Sequence, residues 1–142
     1  MQETSKCFNL RKERNDFALF LNGYGIDIGY GNDPLKIEDG KVDLWDQKNG
    51  DATYMDGIKD NTYDFVYSSC CLEHISDIEM ALYNWVRILK NEGFLYLVLP
   101  EYILYERMKW PSAYNKYHMV SFSIFIDRKK VKREDHYHIV HS

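Results

Sequence analysis

The clearest periodic signal lies over residues 77–90, where Ile78, Ala81, Leu82, Trp85, Val86 and Leu89 recur at helical spacing. Ser76 or Asp77 stands where an N-cap belongs and Asn91-Glu92-Gly93 supplies the exit, so a helix is predicted there. A second amphipathic stretch, 8–21, sets Phe8, Leu10, Phe17, Leu19, Phe20 and Leu21 among charged residues. It ends at Asn22-Gly23 and predicts a helix leading into a strand.

Strand patterns alternate with these helices. Residues 25–29 form a β-branched apolar run, 41–44 a short second strand, and 52–55 a third. Residues 63–67, Tyr-Asp-Phe-Val-Tyr, and 94–99, an uninterrupted apolar run stopped by Pro100, read as two more. Asn32-Asp33-Pro34 offers a helix start with Asp33 as N-cap and Pro34 at the first position, but Gly40 limits it to a turn or two. Beyond Pro100 the pattern weakens: 101–117 reads as an aromatic-rich loop or short helix, 119–126 as a further strand and 128–133 as a basic run. Strands without polar alternation are covered on both faces, and their alternation with helices predicts an α/β fold. The expected architecture is a three-layer, Rossmann-like, doubly wound and mostly parallel sheet in a single domain over 1–142.

Composition fits this frame. With 142 residues, 45% hydrophobic and 15% aromatic, the chain can bury a substantial core without staples. A formal charge of −4 argues against nucleic acid or an anionic membrane surface as partner. Cys7, Cys70 and Cys71 match no zinc spacing, and no apolar run approaches a membrane span, so a reduced, cytoplasmic protein is expected. His136, His138 and His141 have no carboxylate or cysteine at ligand spacing, and no metal is expected.

The chemistry concentrates at strand ends. Residues 25–31 read Gly-Ile-Asp-Ile-Gly-Tyr-Gly, a strand stopped by two glycines that let backbone approach a ligand. Asp27 lies inside that run, where a carboxylate needs a polar partner or a ligand. In a doubly wound sheet the residues after each strand meet at one edge: Gly29-Tyr30-Gly31, Asp43, Asp51-Ala52 and Ser69 to His74. A dinucleotide fingerprint would need a third glycine where Pro34 stands, and a full helix to receive a pyrophosphate, which disfavours an NAD-type oxidoreductase.

S-adenosylmethionine carries no phosphate, and the set resembles a family that uses it. Gly-Ile-Asp-Ile-Gly-Tyr-Gly, Val42-Asp43, Gly50-Asp51-Ala52, the 63–69 strand with Ser68-Ser69, Leu72-Glu73-His74 and Arg87-Ile88-Leu89-Lys90 with Gly93 resemble the class I S-adenosylmethionine-dependent methyltransferases, type 11. The resemblance implies that Gly29, Tyr30 and Gly31 line the methionyl group and that Asp27 orients its amine. It also implies that Asp43, with Leu44 beside it, accepts the ribose hydroxyls, that Asp51 and Ala52 meet the adenine edge, and that Trp45 covers the ring. Ser69 and Cys70 would floor the sulfonium, with Glu73 and His74 on the acceptor side and His74 as base. The implied acceptor is a small molecule or glycan precursor. The alternative is a protein that binds the cofactor without transferring its methyl group. A second subunit is expected to help complete the acceptor pocket, because residues 30–40 are short for a helical crossover and little chain follows Pro100.

Overall fold

A computed structural model describes residues 2–124 and 136–138. Three short helices, α1 (Glu3–Lys6), α2 (Phe8–Glu13) and α3 (Asp16–Leu19), lead into β1 (Gly23–Ile28) and β2 (Gly40–Trp45). Next come β3 (Tyr63–Ser69), a 3-10 turn (Leu72–His74), α4 (Ile78–Arg87), β4 (Leu89–Val98), β5 (Ser121–Ser123) and β6 (His136–His138). The main sheet has the order β2-β1-β3-β4, every neighbouring pair parallel, while β5 and β6 pair separately. The chain leaves β1 towards β2 and returns on the other side of β1 as β3. That reversal puts a crevice at the carboxyl ends of β1 and β3.

Both faces of the central strands β1 and β3 are covered, as their unbroken apolar runs require, while β4 at the sheet edge is only partly covered. Ile26, Ile28 and Val66 pack with Ile78, Ala81, Trp85 and Ile88 of the α4 layer. On the opposite face Phe65 and Tyr67 pack with Phe17, Leu21 and Leu35 beneath the N-terminal helices. Asp77 caps α4 by accepting the Met80 amide at 3.0 Å. Trp85 is fully buried, so truncating it to alanine costs about 3–5 kcal/mol. α4 also shapes the crevice: Trp85 Nε1 donates to the Ala52 carbonyl at 2.8 Å, Asn84 Nδ2 to Thr53 at 3.0 Å, and Arg87 Nη1 to Ile58 at 2.8 Å.

Five local expectations are corrected. The helix expected over 8–21 is broken at Asn15, whose φ of 62° is left-handed, and the break folds Phe17 back to 5.1 Å from Phe8. No helix starts at Asp33, because its carboxylate instead accepts the Ser5 amide at 2.9 Å and the Ser5 hydroxyl, capping α1 from across the fold. Residues 52–55 are a turn rather than a strand. Tyr54 and Met55 both bond the Asp51 carbonyl, at 3.2 and 3.1 Å, while α4 side chains hold the carbonyls of Ala52 and Thr53. The α4 helix ends before the expected exit, and Asn91-Glu92-Gly93 forms an irregularity inside β4, where the pairing jumps from Tyr63↔Leu89 to Phe65↔Phe94 and Glu92 has φ 64°. Only Ser121–Ser123 of the strand expected over 119–126 is formed among the described residues, and the 128–133 basic run and His141 lie outside them.

Candidate active site

Two cavities flank the carboxyl ends of β1 and β3, and Gly29 and Cys70 line both. The smaller, about 260 Å³, lies under the N-terminal helices and is lined by Glu3, Thr4, Asp27, Tyr30, Gly31, Asp33 and Ser69 among others. The larger, about 630 Å³, lies on the other side and is bounded by Trp45, Asp46, Asp51, Ala52, Cys71 and His74. Gly29 has φ +77°, and a Cβ placed on it would stand 2.5 Å from Cys71 Sγ, so glycine is required where the two cavities meet. Cys70 continues the turn with φ 51°. Ser68 Oγ donates to the Ile28 carbonyl at 2.9 Å and locks the ends of β1 and β3 together.

Asp27 is 1% exposed, and its Oδ2 accepts the Leu35 amide at 2.7 Å. Burial pushes its carboxyl up to about 7 despite that donor. Tyr30, Gly31 and Ser69 stand with it around the smaller cavity, and Lys48 Nζ lies 5.5 Å above the Tyr30 ring. Burial also pushes the thiols of Cys70 and Cys71 up to about 11 and 12, so neither is a thiolate nucleophile near neutral pH.

Asp51 and Ala52 wall the larger cleft, with Asp51 Oδ1 held by the Thr53 amide at 2.8 Å. Trp45 forms a buried wall, and among the described residues its Nε1 has no partner. Asp43 and Leu44 do not line either cavity. The Asp43 carboxylate is taken by the Tyr24 hydroxyl at 2.5 Å, the Tyr63 hydroxyl at 3.0 Å and Lys41 at 3.2 Å. Burial opposes its ionisation, but these donors outweigh it and hold the group below the usual carboxylate range. The register explains the displacement. Asp43 pairs with Ile26 in mid-strand, and β2 runs on to Trp45, whose carbonyl accepts the Gly29 amide at 2.8 Å. The acid at the true end of β2 is therefore Asp46, which lines the cleft and which a strand boundary drawn at Leu44 concealed.

A family model described as a methyltransferase domain, type 11, matches residues 14–97, more than half of the 142-residue chain. The chain belongs to the type 11 class I S-adenosylmethionine-dependent methyltransferases. No curated protein and no solved structure matches it. The matched span of this methyltransferase domain runs from α3 into β4 and contains the ends of β1, β2 and β3 around the two cavities.

On the far side of the methyltransferase cleft, His74 and Glu73 part company. His74 lines the cleft, half-exposed, and its Nδ1 lies 3.0 Å from the Tyr117 carbonyl, so that nitrogen carries the proton and Nε2 is the free lone pair. Burial lowers its pKa and favours the neutral ring. Glu73, by contrast, is fully buried behind it and does not line the cleft. Burial pushes Glu73 up to about 7. His118 and Glu106, neither evident from sequence spacing, complete this corner: His118 Nδ1 lies 2.6 Å from Glu106 Oε1, and both side chains are buried.

Proposed function

We propose that the domain binds S-adenosylmethionine across the two cavities and transfers its methyl group to a small-molecule or glycan-precursor acceptor. The observation that carries this reading is the pair of cavities meeting at Gly29 and Cys70. The methionyl end fits the smaller, where the Asp27 carboxylate faces the position of a cationic amine and bare backbone replaces side chains. Adenosine fits the larger, with Asp46 accepting ribose hydroxyls and Asp51 and the Ala52 backbone meeting the adenine edge. The absence of a helix between Gly31 and β2 favours this ligand over a dinucleotide, whose pyrophosphate seeks the N-terminus of the helix that follows the first strand.

The sulfonium then sits near Gly29, Ser69 and Cys70, with His74 beyond it. Transfer is an in-line displacement. The acceptor's lone pair bonds the methyl carbon as the carbon–sulfur bond breaks, and that electron pair stays on sulfur to give S-adenosylhomocysteine. Such a reaction depends mostly on alignment, and a base matters only when the acceptor must lose a proton. His74, which lines the cleft with its Nε2 unprotonated, is the group suited to take it.

Incubating the protein with methyl-labelled cofactor and a panel of hydroxyl, amine and carboxyl acceptors tests the reading. Labelled product and stoichiometric S-adenosylhomocysteine are expected with at least one acceptor class. Cofactor binding with no transfer to any of them would instead favour a non-catalytic binder.

A further inference from the structure

Glu73, His74 and His118 bring one ligand atom each to within 4.8 Å of one another. Among the described residues neither Glu73 carboxylate oxygen has a hydrogen-bond partner, nor does His118 Nε2, and all three atoms are buried. Glu73 Oε1 lies 3.9 Å from the Nε2 atoms of both histidines, too far for a hydrogen bond and on a common focus. A carboxyl buried with no partner is costly, and a cation at this focus would relieve that cost.

The outer arrangement says what. Each histidine uses Nδ1 outward, His74 towards the Tyr117 carbonyl at 3.0 Å and His118 towards Glu106 Oε1 at 2.6 Å, which turns both Nε2 lone pairs inward to Glu73. Ser112 Oγ in turn donates to Glu106 Oε2 at 2.5 Å. A carbonyl or carboxylate fixing the tautomer of an imidazole whose other nitrogen points at a shared centre is the usual outer shell of a metal-bound histidine.

We propose that Glu73, His74 and His118 bind one divalent transition-metal ion of the zinc type. Two imidazoles and a carboxylate suit such an ion, and bond lengths of about 2.0–2.2 Å require the three side chains to draw in by roughly half an ångström. Three protein ligands leave a coordination position open, and His74 is the ligand that also lines the cleft. Resting on the methyl-transfer reading, a bound ion would hold an acceptor oxygen at its open position and lower its pKa so that the proton is lost to solvent, in place of His74 acting as the base.

The test is a titration of untagged, chelator-treated protein with Zn²⁺ by calorimetry and with Co²⁺ by visible absorption. One equivalent of tightly bound ion is expected, with the Co²⁺ bands of a four- or five-coordinate site. His74→Ala, at a half-exposed position that leaves the buried core intact, is expected to weaken binding on the order of 100-fold, and Glu106→Gln about 10-fold. Circular dichroism checks that His118→Ala, at a buried position, still folds before its loss of binding is read. No stoichiometric uptake, uptake indifferent to His74→Ala, or uptake removed by replacing His136, His138 and His141 overturns the proposal. Binding of S-adenosylhomocysteine measured on the same metal-free protein separates failure of the metal site from failure of the cofactor reading.

Discussion

The sulfur of Cys71 fills the space a Cβ on Gly29 would need, 2.5 Å away, and the Gly29 φ of +77° disfavours any other residue. Gly31 shares the left-handed φ, at +54°, but a Cβ there meets nothing within 4 Å. The two glycines of one motif therefore answer to different constraints. Gly29→Ala is expected to cost about 2–4 kcal/mol from backbone strain plus the clash, and Gly31→Ala about 1 kcal/mol from strain alone. Urea denaturation of the two variants measures the difference, and equal losses would show that the turn rather than the close approach dictates Gly29.

Asp27 makes stability depend on pH in a stated direction. Its folded pKa, about 7, lies above the ordinary carboxylate value, so the folded state holds a proton that the unfolded chain releases. That contribution is complete below about pH 4 and is lost as pH rises towards 7, the sign expected when the native state binds more protons. Asp27→Asn still accepts the Leu35 amide but does not titrate. Its stability relative to the parent should rise between about pH 4 and pH 7, by up to a few kcal/mol. A difference that stays flat with pH would contradict a protonated Asp27.

The same carboxyl links cofactor binding to pH. A cationic amine in the smaller cavity favours the ionised form, so S-adenosylmethionine should bind more tightly from about pH 5 to pH 7 and release a proton. Calorimetry in buffers of different ionisation enthalpy reads that proton, and Asp27→Asn should abolish its release.

Asp43 and Asp46 are expected to separate cleanly. Asp43→Asn weakens the hydrogen bonds from Tyr24 and Tyr63 and should lower stability by about 1 kcal/mol while leaving cofactor affinity unchanged. Asp46→Asn, at the cleft, should lower affinity by on the order of 1–3 kcal/mol with little effect on folding. Reversed effects would return the ribose role to Asp43.

Much of this site is legible in the sequence because strand ends announce themselves. The glycine turn at 29–31, Asp51-Ala52 and Ser69 all lie at the crevice, and the glycine turn and Ser69 do so because they end β1 and β3, whose burial fixes their register. Asp43 lies away from both cavities, and a one-residue change in where β2 stops brings Asp46 to the cleft instead. The segment after Asp51 misled because its carbonyls are claimed by Trp85 and Asn84, more than thirty residues away, which no local pattern reveals. His118 and Glu106 were invisible for the same cause, since only the fold brings residue 118 back against Glu73, where the Met119 amide donates to the Glu73 carbonyl at 2.8 Å.

The N-terminal helices depend on a buried cation. Arg11, 2% exposed, donates from Nη2 to the Tyr67 hydroxyl at 2.6 Å and from Nη1 to the Thr4 carbonyl at 2.7 Å. Tyr67→Phe deprives that guanidinium of an acceptor and should cost about 1–3 kcal/mol. Because Glu3 and Thr4 wall the smaller cavity, it should also weaken the cofactor and expose the first helices to protease. Unchanged proteolysis would detach the helices from this anchor.

The most direct measurement is a calorimetric titration of the parent protein and Asp46→Asn with S-adenosylhomocysteine, and of the parent with NAD. One equivalent of S-adenosylhomocysteine binding the parent, at least about 5-fold weaker binding to Asp46→Asn and no heat from NAD are predicted. Binding of NAD without binding of S-adenosylhomocysteine would contradict the account.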